Sequence, residues 1–179
     1  WGHKIGIDPN FTIYDQEDRE AILAAIISDF GDRTTVKKVL EAKEKRRFTG
    51  DEISEHTEEI RVLSEYHYRL RQNNAVDLDE LINEANKLLS FRHPNVLEYY
   101  RNNYTHVFVD EFQDTSEDQM IMLQNLNPQN LFVVGDDFQA IYGWRNARVE
   151  YIINFSTYYP GCEIVRLEDN YRSTEPIIK

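Results

Sequence analysis

An α/β fold class is what this sequence predicts: a partial parallel sheet of three strands with flanking helices, preceded by an all-helical lobe. Three observations predict it. Three short runs after Thr105, HVFVD, LFVVGD and EIVRL, are apolar, β-branched or aromatic on consecutive residues, as in strands buried on both faces. Helical segments near Glu117–Leu126 and 148–159 lie between them, giving the order strand–helix–strand–helix–strand. Residues 1–104 instead carry the three- and four-residue apolar spacing of amphipathic helices. The expected division is therefore 1–104 for the helical lobe and 105–179 for the sheet.

Within the lobe, Asp15 caps a first helix that runs to Phe30. Its apolar stripe is Ile22, Leu23, Ile26, Ile27 and Phe30, and Gly31 ends it. A charged second helix covers 35–47. A third, long rod carries Ile53, Ile60, Leu63, His67 and Leu70 on one face, with His67 read as a packed residue. A fourth helix at 77–90 buries Leu78, Leu81, Ile82, Ala85, Leu88 and Leu89, and a short fifth follows at 96–102. In the second half, Ser116 and Gln119 have the spacing of a capping box for the helix that follows the first strand.

Composition narrows the function. A chain of 179 residues, 41% hydrophobic and 29% charged, supports one good core or two small lobes. Its net charge of −12 argues against a generic nucleic-acid coat, although a local groove can still grip a strand through a few placed side chains. No run reaches the roughly 18 apolar residues of a membrane span, and no signal-peptide pattern opens the chain. The single cysteine, Cys162, excludes an internal disulfide and fits a reducing compartment. The chain begins at Trp1 and stops at Lys179, where Ser173 or Thr174 followed by Pro176 announces a new helix. It reads as an internal piece of a longer protein.

The chemistry concentrates at the end of the first strand. Asp110 and Glu111 stand beyond its carboxyl end, where open α/β sheets bind ligands. Adjacent carboxylates raise each other's pKa unless a cation joins them. A Mg²⁺ ion held by one carboxylate and bridging to substrate phosphates meets that need, and leaves the other acid to activate a water. A solvated acidic strand end is the bland alternative for a bare acidic pair.

The surrounding phrases are far more specific than the pair. VDEFQDT (109–115) resembles the second motif, the Walker B element, of superfamily one DNA helicases of the UvrD, Rep and PcrA type. VVGDDFQAIYGWRNA (133–147) resembles the third motif and RLEDNYRST (166–174) the fourth, in the same order and spacing. FTIYDQEDREAIL (11–23) and VDLDEL (76–81) more weakly resemble the helical insertion, subdomain 1B, and its return into the first motor domain.

The resemblance implies a RecA-like P-loop NTPase sheet and an ATP-dependent helicase that moves along single-stranded DNA and separates duplexes, usually 3′ to 5′. By similarity Asp110 holds Mg²⁺, Glu111 is the catalytic base for ATP hydrolysis, and Gln139 senses the γ-phosphate or the attacking water. Arg172 reaches the γ-phosphate and Tyr171 stacks on the adenine. Tyr142 and Trp144 offer flat faces to bases, and Arg145 a planar cation to base or phosphate, which suits sequence-independent grip. Implied partners are single-stranded and forked DNA, in a bacterial cytoplasm at the nucleoid.

Asn146 departs from the family's usual glycine, a change that a turn tolerates because asparagine accepts positive φ. No G-x-x-x-x-G-K-[ST] occurs among the seven glycines, so this chain alone is expected to bind ATP poorly and hydrolyse it negligibly. KKVLEAKEKRR (37–47) reads as a solvated helix face, with a duplex-phosphate contact as the sharper alternative. The five histidines lack metal-ligand spacing. Two other readings remain beside the helicase: the motor of an AddA- or RecB-type helicase–nuclease, and a non-catalytic interaction module on the same scaffold.

Overall fold

The structure is a computed structural model describing residues 1–49, 57–141, 143, 147–169, 171, 173 and 174, with 46–49 described by backbone alone. Ile53, Asn146 and Pro176 from the sequence reading lie outside the described residues. The chain divides into two compact units, one of Trp1–Val107 with Glu117–Phe132, the other of Phe108–Ser116 with Val133–Lys179.

In the first unit, helix α1 (Gln16–Phe30) has the ends its sequence announces. The Asp15 carboxylate accepts from the Asp18 amide while Asp18 accepts from the Asp15 amide, a complete capping box. Gly31 closes the helix at φ 64°, where a side chain would be strained. Helix α2 (Val36–Thr49) follows, and helix α3 (Glu58–Gln72) is capped by the Thr57 hydroxyl. These three helices build the core: Leu23 and Ile26 from α1, Val39 from α2, and Ile60, Val62, Leu63, Tyr66 and Leu70 from α3. Each fully buried aliphatic side chain contributes about 1.5–3 kcal/mol by leaving water. His67 is not among them. The buried stripe runs through Val62 and Tyr66, which turns His67 outward to bond Glu80 at 3.0 Å.

Two short strands were not foreseen. β1 (Thr12–Tyr14) and β2 (Ala75–Asp77) pair in parallel, with Thr12 opposite Ala75 and Tyr14 opposite Asp77. β2 is buried along its whole length. The expected fourth helix therefore starts later. Asp77 is extended, its carboxylate accepts from the Asp79 amide at 3.0 Å, and a 3-10 turn (Leu78–Glu80) leads into helix α4 (Leu81–Leu88). Leu78 is consequently exposed rather than buried, and Glu84 is buried instead, paired with Arg71 at 2.9 Å and Lys87 at 2.7 Å.

Asp77 is the hub of a polar cluster inside this unit. Its Oδ2 accepts from Lys43 Nζ at 2.9 Å and from the Tyr66 hydroxyl at 3.0 Å, and Arg19 stands 3.5 Å from Oδ1. Burial, reinforced by the Asp77 charge, pushes the Tyr66 phenol well above its usual range. Helix α5 (Pro94–Asn103) carries Arg101, whose guanidinium donates to the carbonyls of Asn125 and Leu126 at the end of helix α6 (Glu117–Leu126). Asn86 ties α4 to the Asp118 carbonyl at 2.8 Å.

Strands β3 (His106–Val109) and β4 (Asn130–Val133) are neighbours in a second two-stranded sheet. The Asn130 amide donates to Thr105 O and, four residues on, the Val134 amide to Val109 O, so they run parallel. These are two of the three expected strands. Both alternate exposed and half-buried residues instead of being buried on both faces, with Phe108 and Phe132 among the exposed ones. The third run, EIVRL, forms no strand: Ile164, Val165 and Leu167 are exposed, and no described strand supplies their main chain with a ladder.

The second unit packs around Phe112, which is fully buried and meets Phe155 edge-on with ring centroids 5.4 Å apart. Phe155 stacks on Tyr159 at 4.8 Å, and Tyr151 meets Tyr158 at 5.5 Å. The expected helix at 148–159 is two single turns, α7 (Glu150–Ile153) and α8 (Phe155–Tyr158), separated by Asn154, whose ψ of 24° breaks the α-helical run.

Candidate active site

The acidic pair lies in the second unit, at a bend that the backbone makes under strain. Val134 N donates to Val109 O and Phe112 N returns to Val134 O, both at 2.8 Å, so the chain after β3 is stitched to the chain after β4. Between these bonds Glu111 adopts φ 50° and ψ 44°, left-handed backbone that costs a non-glycine residue about 1–2 kcal/mol. The bend converts a strand into a 3-10 turn (Phe112–Asp114) within one residue. It also separates the roles of the two acids. Asp110 Oδ1 accepts from the Glu111 amide at 2.9 Å, whereas Glu111 Oε2 accepts from the Gln113 side chain at 2.7 Å.

Gln113 is 1% exposed and is used at both ends. Its Nε2 donates to Glu111, and its Oε1 accepts from the Asp136 amide at 3.0 Å. Gly135 makes this approach possible: a Cβ there would stand 2.6 Å from Gln113 Oε1 and 2.7 Å from Ile152 Cδ1. Asp136 then organises the next turn. Its Oδ1 accepts from the Phe138 amide at 3.0 Å, and its Oδ2 from Gln139 Nε2 at 2.8 Å. A continuous line of hydrogen bonds thus joins the Glu111 carboxylate, Gln113, Asp136 and the Gln139 amide.

Of the residues singled out by sequence, Asp110, Glu111 and Gln139 are brought into this one arrangement, each exposed. Tyr171 is described and 93% exposed. Tyr142, Trp144, Arg145 and Arg172 lie outside the described residues. Gln113 and Asp136 were inside the quoted phrases without an assigned role. The available signal was a glutamine two residues past the acids, together with a Gly–Asp pair ahead of Gln139.

Chemically, the bend offers carboxylate oxygens at a strand end and a neutral amide nearby. Hard oxygen donors of this kind fit Mg²⁺, which takes one or two protein carboxylates and fills its other positions with water and phosphate oxygens. Asp110, fixed through one oxygen, suits that role; Glu111, polarised by one amide donor, suits proton acceptance.

The sequence profile of the UvrD/REP helicase N-terminal domain matches residues 2–160. The chain belongs to the UvrD/REP helicase family. Among its curated relatives is the ATP-dependent DNA helicase PcrA of Staphylococcus aureus strain Mu50, 35% identical over 98% of this chain and 26% of the relative. The protein of the same name from Staphylococcus epidermidis strain ATCC 35984 is 34% identical over the same shares. The chain spans about a quarter of the length of these relatives.

Proposed function

We propose that this chain is part of the motor of an ATP-dependent DNA helicase, in which hydrolysis of ATP drives movement along single-stranded DNA and separation of duplexes. The observation that supports it most is the hydrogen-bonded line from Glu111 to Gln139, set on an acidic pair at the end of a parallel strand. In this reading residues 1–104 correspond to the helical insertion, subdomain 1B, and 105–179 to part of the first motor domain.

Each side chain then has a task. Asp110 holds Mg²⁺, which when bound neutralises charge on the β- and γ-phosphates. Glu111 accepts the proton of the attacking water. The Gln139 amide donates and accepts without adding charge, which suits reading a phosphate oxygen and a water together. Arg172 supplies positive charge at the γ-phosphate, and Tyr171 a face for the adenine. Tyr142, Trp144 and Arg145 grip the strand by stacking, which tolerates any base. The phosphate-cradling G-x-x-x-x-G-K-[ST] is not in this sequence, so the reading assigns turnover to a longer protein that supplies it.

The test is ATP hydrolysis by such a longer protein with and without single-stranded DNA, beside the isolated chain. The reading requires DNA-stimulated turnover in the first and negligible turnover in the second. Absence of ATP hydrolysis by the longer protein with DNA present contradicts it.

A further inference from the structure

We propose that Gln113 is a positioning residue that couples the aim of the Glu111 carboxylate to the turn that carries Gln139. The inference rests on the ATPase reading above and adds to it a residue that touches neither nucleotide nor metal.

The site makes two demands on one side chain. The Glu111 carboxylate needs a donor, and the Asp136 amide needs an acceptor. A carboxamide presents both at one end of a flexible stem, and does so at any pH. Its orientation is determined by its partners. A flipped amide would set oxygen against carboxylate and N–H against N–H, two repulsions in place of two bonds. At 1% exposure, water cannot stand in for either partner. The Gly135 backbone stands close beside Oε1, where a Cβ would lie 2.6 Å from that oxygen.

The far end of the line is equally constrained. The amide that Gln113 accepts from belongs to Asp136, the same residue whose carboxylate holds the Gln139 side chain and the Phe138 amide. Moving the turn at 136–139 therefore pulls on Gln113, and Gln113 pulls on Glu111. Among the described residues, the Gln113 amide is the side-chain donor to the Glu111 carboxylate, and it sets the direction of that carboxylate. A γ-phosphate felt by Gln139 would thus be reported to the base through three hydrogen bonds inside one compact unit.

The experiment uses the full-length protein that contains this chain, assayed for ATP hydrolysis with single-stranded DNA. Wild type, Glu111→Gln, Gln113→Leu and Gln113→Glu are compared. For Gln113→Leu the expected result is a fall in kcat of about tenfold or more with KM for ATP changed less than about threefold, the mark of lost transition-state alignment.

Gln113→Glu keeps the shape, and its protonated carboxyl donates as the amide does. Its kcat should approach wild type at the acidic end of the profile and fall as pH rises, when the second carboxylate ionises against Glu111. Wild-type kcat and pH profile in both variants would overturn the proposal. So would activity lost only in proportion to unfolding, judged from the melting temperature, which would make Gln113 purely structural. Full activity in Glu111→Gln would instead remove the base itself, an outcome told apart from the first by that variant alone.

Discussion

The Tyr66 hydroxyl donates to the Asp77 carboxylate at 3.0 Å, joining a core helix to a strand of three residues at a point where neither group meets water. Lys43 and Arg19 complete the shell around the same carboxylate. Removing the acid would leave the Tyr66 phenol without its acceptor in a dry interior, and would leave Lys43 to Glu80 and Arg19 to Asp79. Asp77→Ala is therefore expected to destabilise the first unit by about 1–3 kcal/mol, the usual cost of leaving a buried hydrogen-bonding group unsatisfied. Denaturant unfolding followed by far-ultraviolet circular dichroism checks it; a loss near that of an exposed substitution would remove Asp77 as a hub.

The neighbouring Glu80 sets a pH dependence. Burial raises its pKa, but the hydrogen bond with His67 and the Lys43 ammonium outweigh burial and hold it down at about 2. A carboxyl with a folded pKa below its unfolded value stabilises the fold fully above the ordinary carboxylate range, about 4.3 for glutamate. That contribution is lost as pH falls from there through about 2. Glu80→Gln should flatten the stability profile over this window and leave it unchanged in shape above. A variant profile parallel to wild type throughout would contradict the assignment.

How much of this was legible beforehand follows from the range of the interactions. Helix α1 was readable because its limits are local: Asp15 and Asp18 cap each other, and Gly31 takes φ 64°. Strands β1 and β2 were not. Each is three residues long, and the pairing of Thr12 with Ala75 joins segments more than sixty residues apart. Asp77 illustrates the confusion: the fourth helix was expected to begin there, but the turn it caps is 3-10 and Asp77 itself belongs to a strand. The run EIVRL has strand composition yet forms none, because composition cannot supply a neighbouring ladder.

In the site, Asp110, Glu111 and Gln139 were picked out as candidates by the phrases that hold them. Gln113 and Asp136 were not, since their work depends on the left-handed turn of Glu111 and on the bare Gly135 backbone. Neither is visible as a spacing.

Gly135 carries a prediction of its own. Gly135→Ala would drive a methyl to 2.6 Å from Gln113 Oε1 and 2.7 Å from Ile152 Cδ1. Overpacking of this kind costs about 1–3 kcal/mol and should displace Gln113 from the Asp136 amide. The expected outcome is a lower melting temperature together with reduced DNA-stimulated ATP turnover in the full-length protein. Loss of stability with turnover unchanged would separate the packing from the chemistry.

The proposed role of Glu111, taking the proton from the water that attacks ATP, is open to a single substitution. Glu111→Gln in the full-length protein keeps size and hydrogen bonding and removes the basic oxygen. ATP binding, followed by equilibrium titration, should stay within a few-fold of wild type. Phosphate release should fall by about 10²–10⁴, the contribution of a positioned general base. Phosphate release at the wild-type rate, with ATP bound as before, would contradict the account.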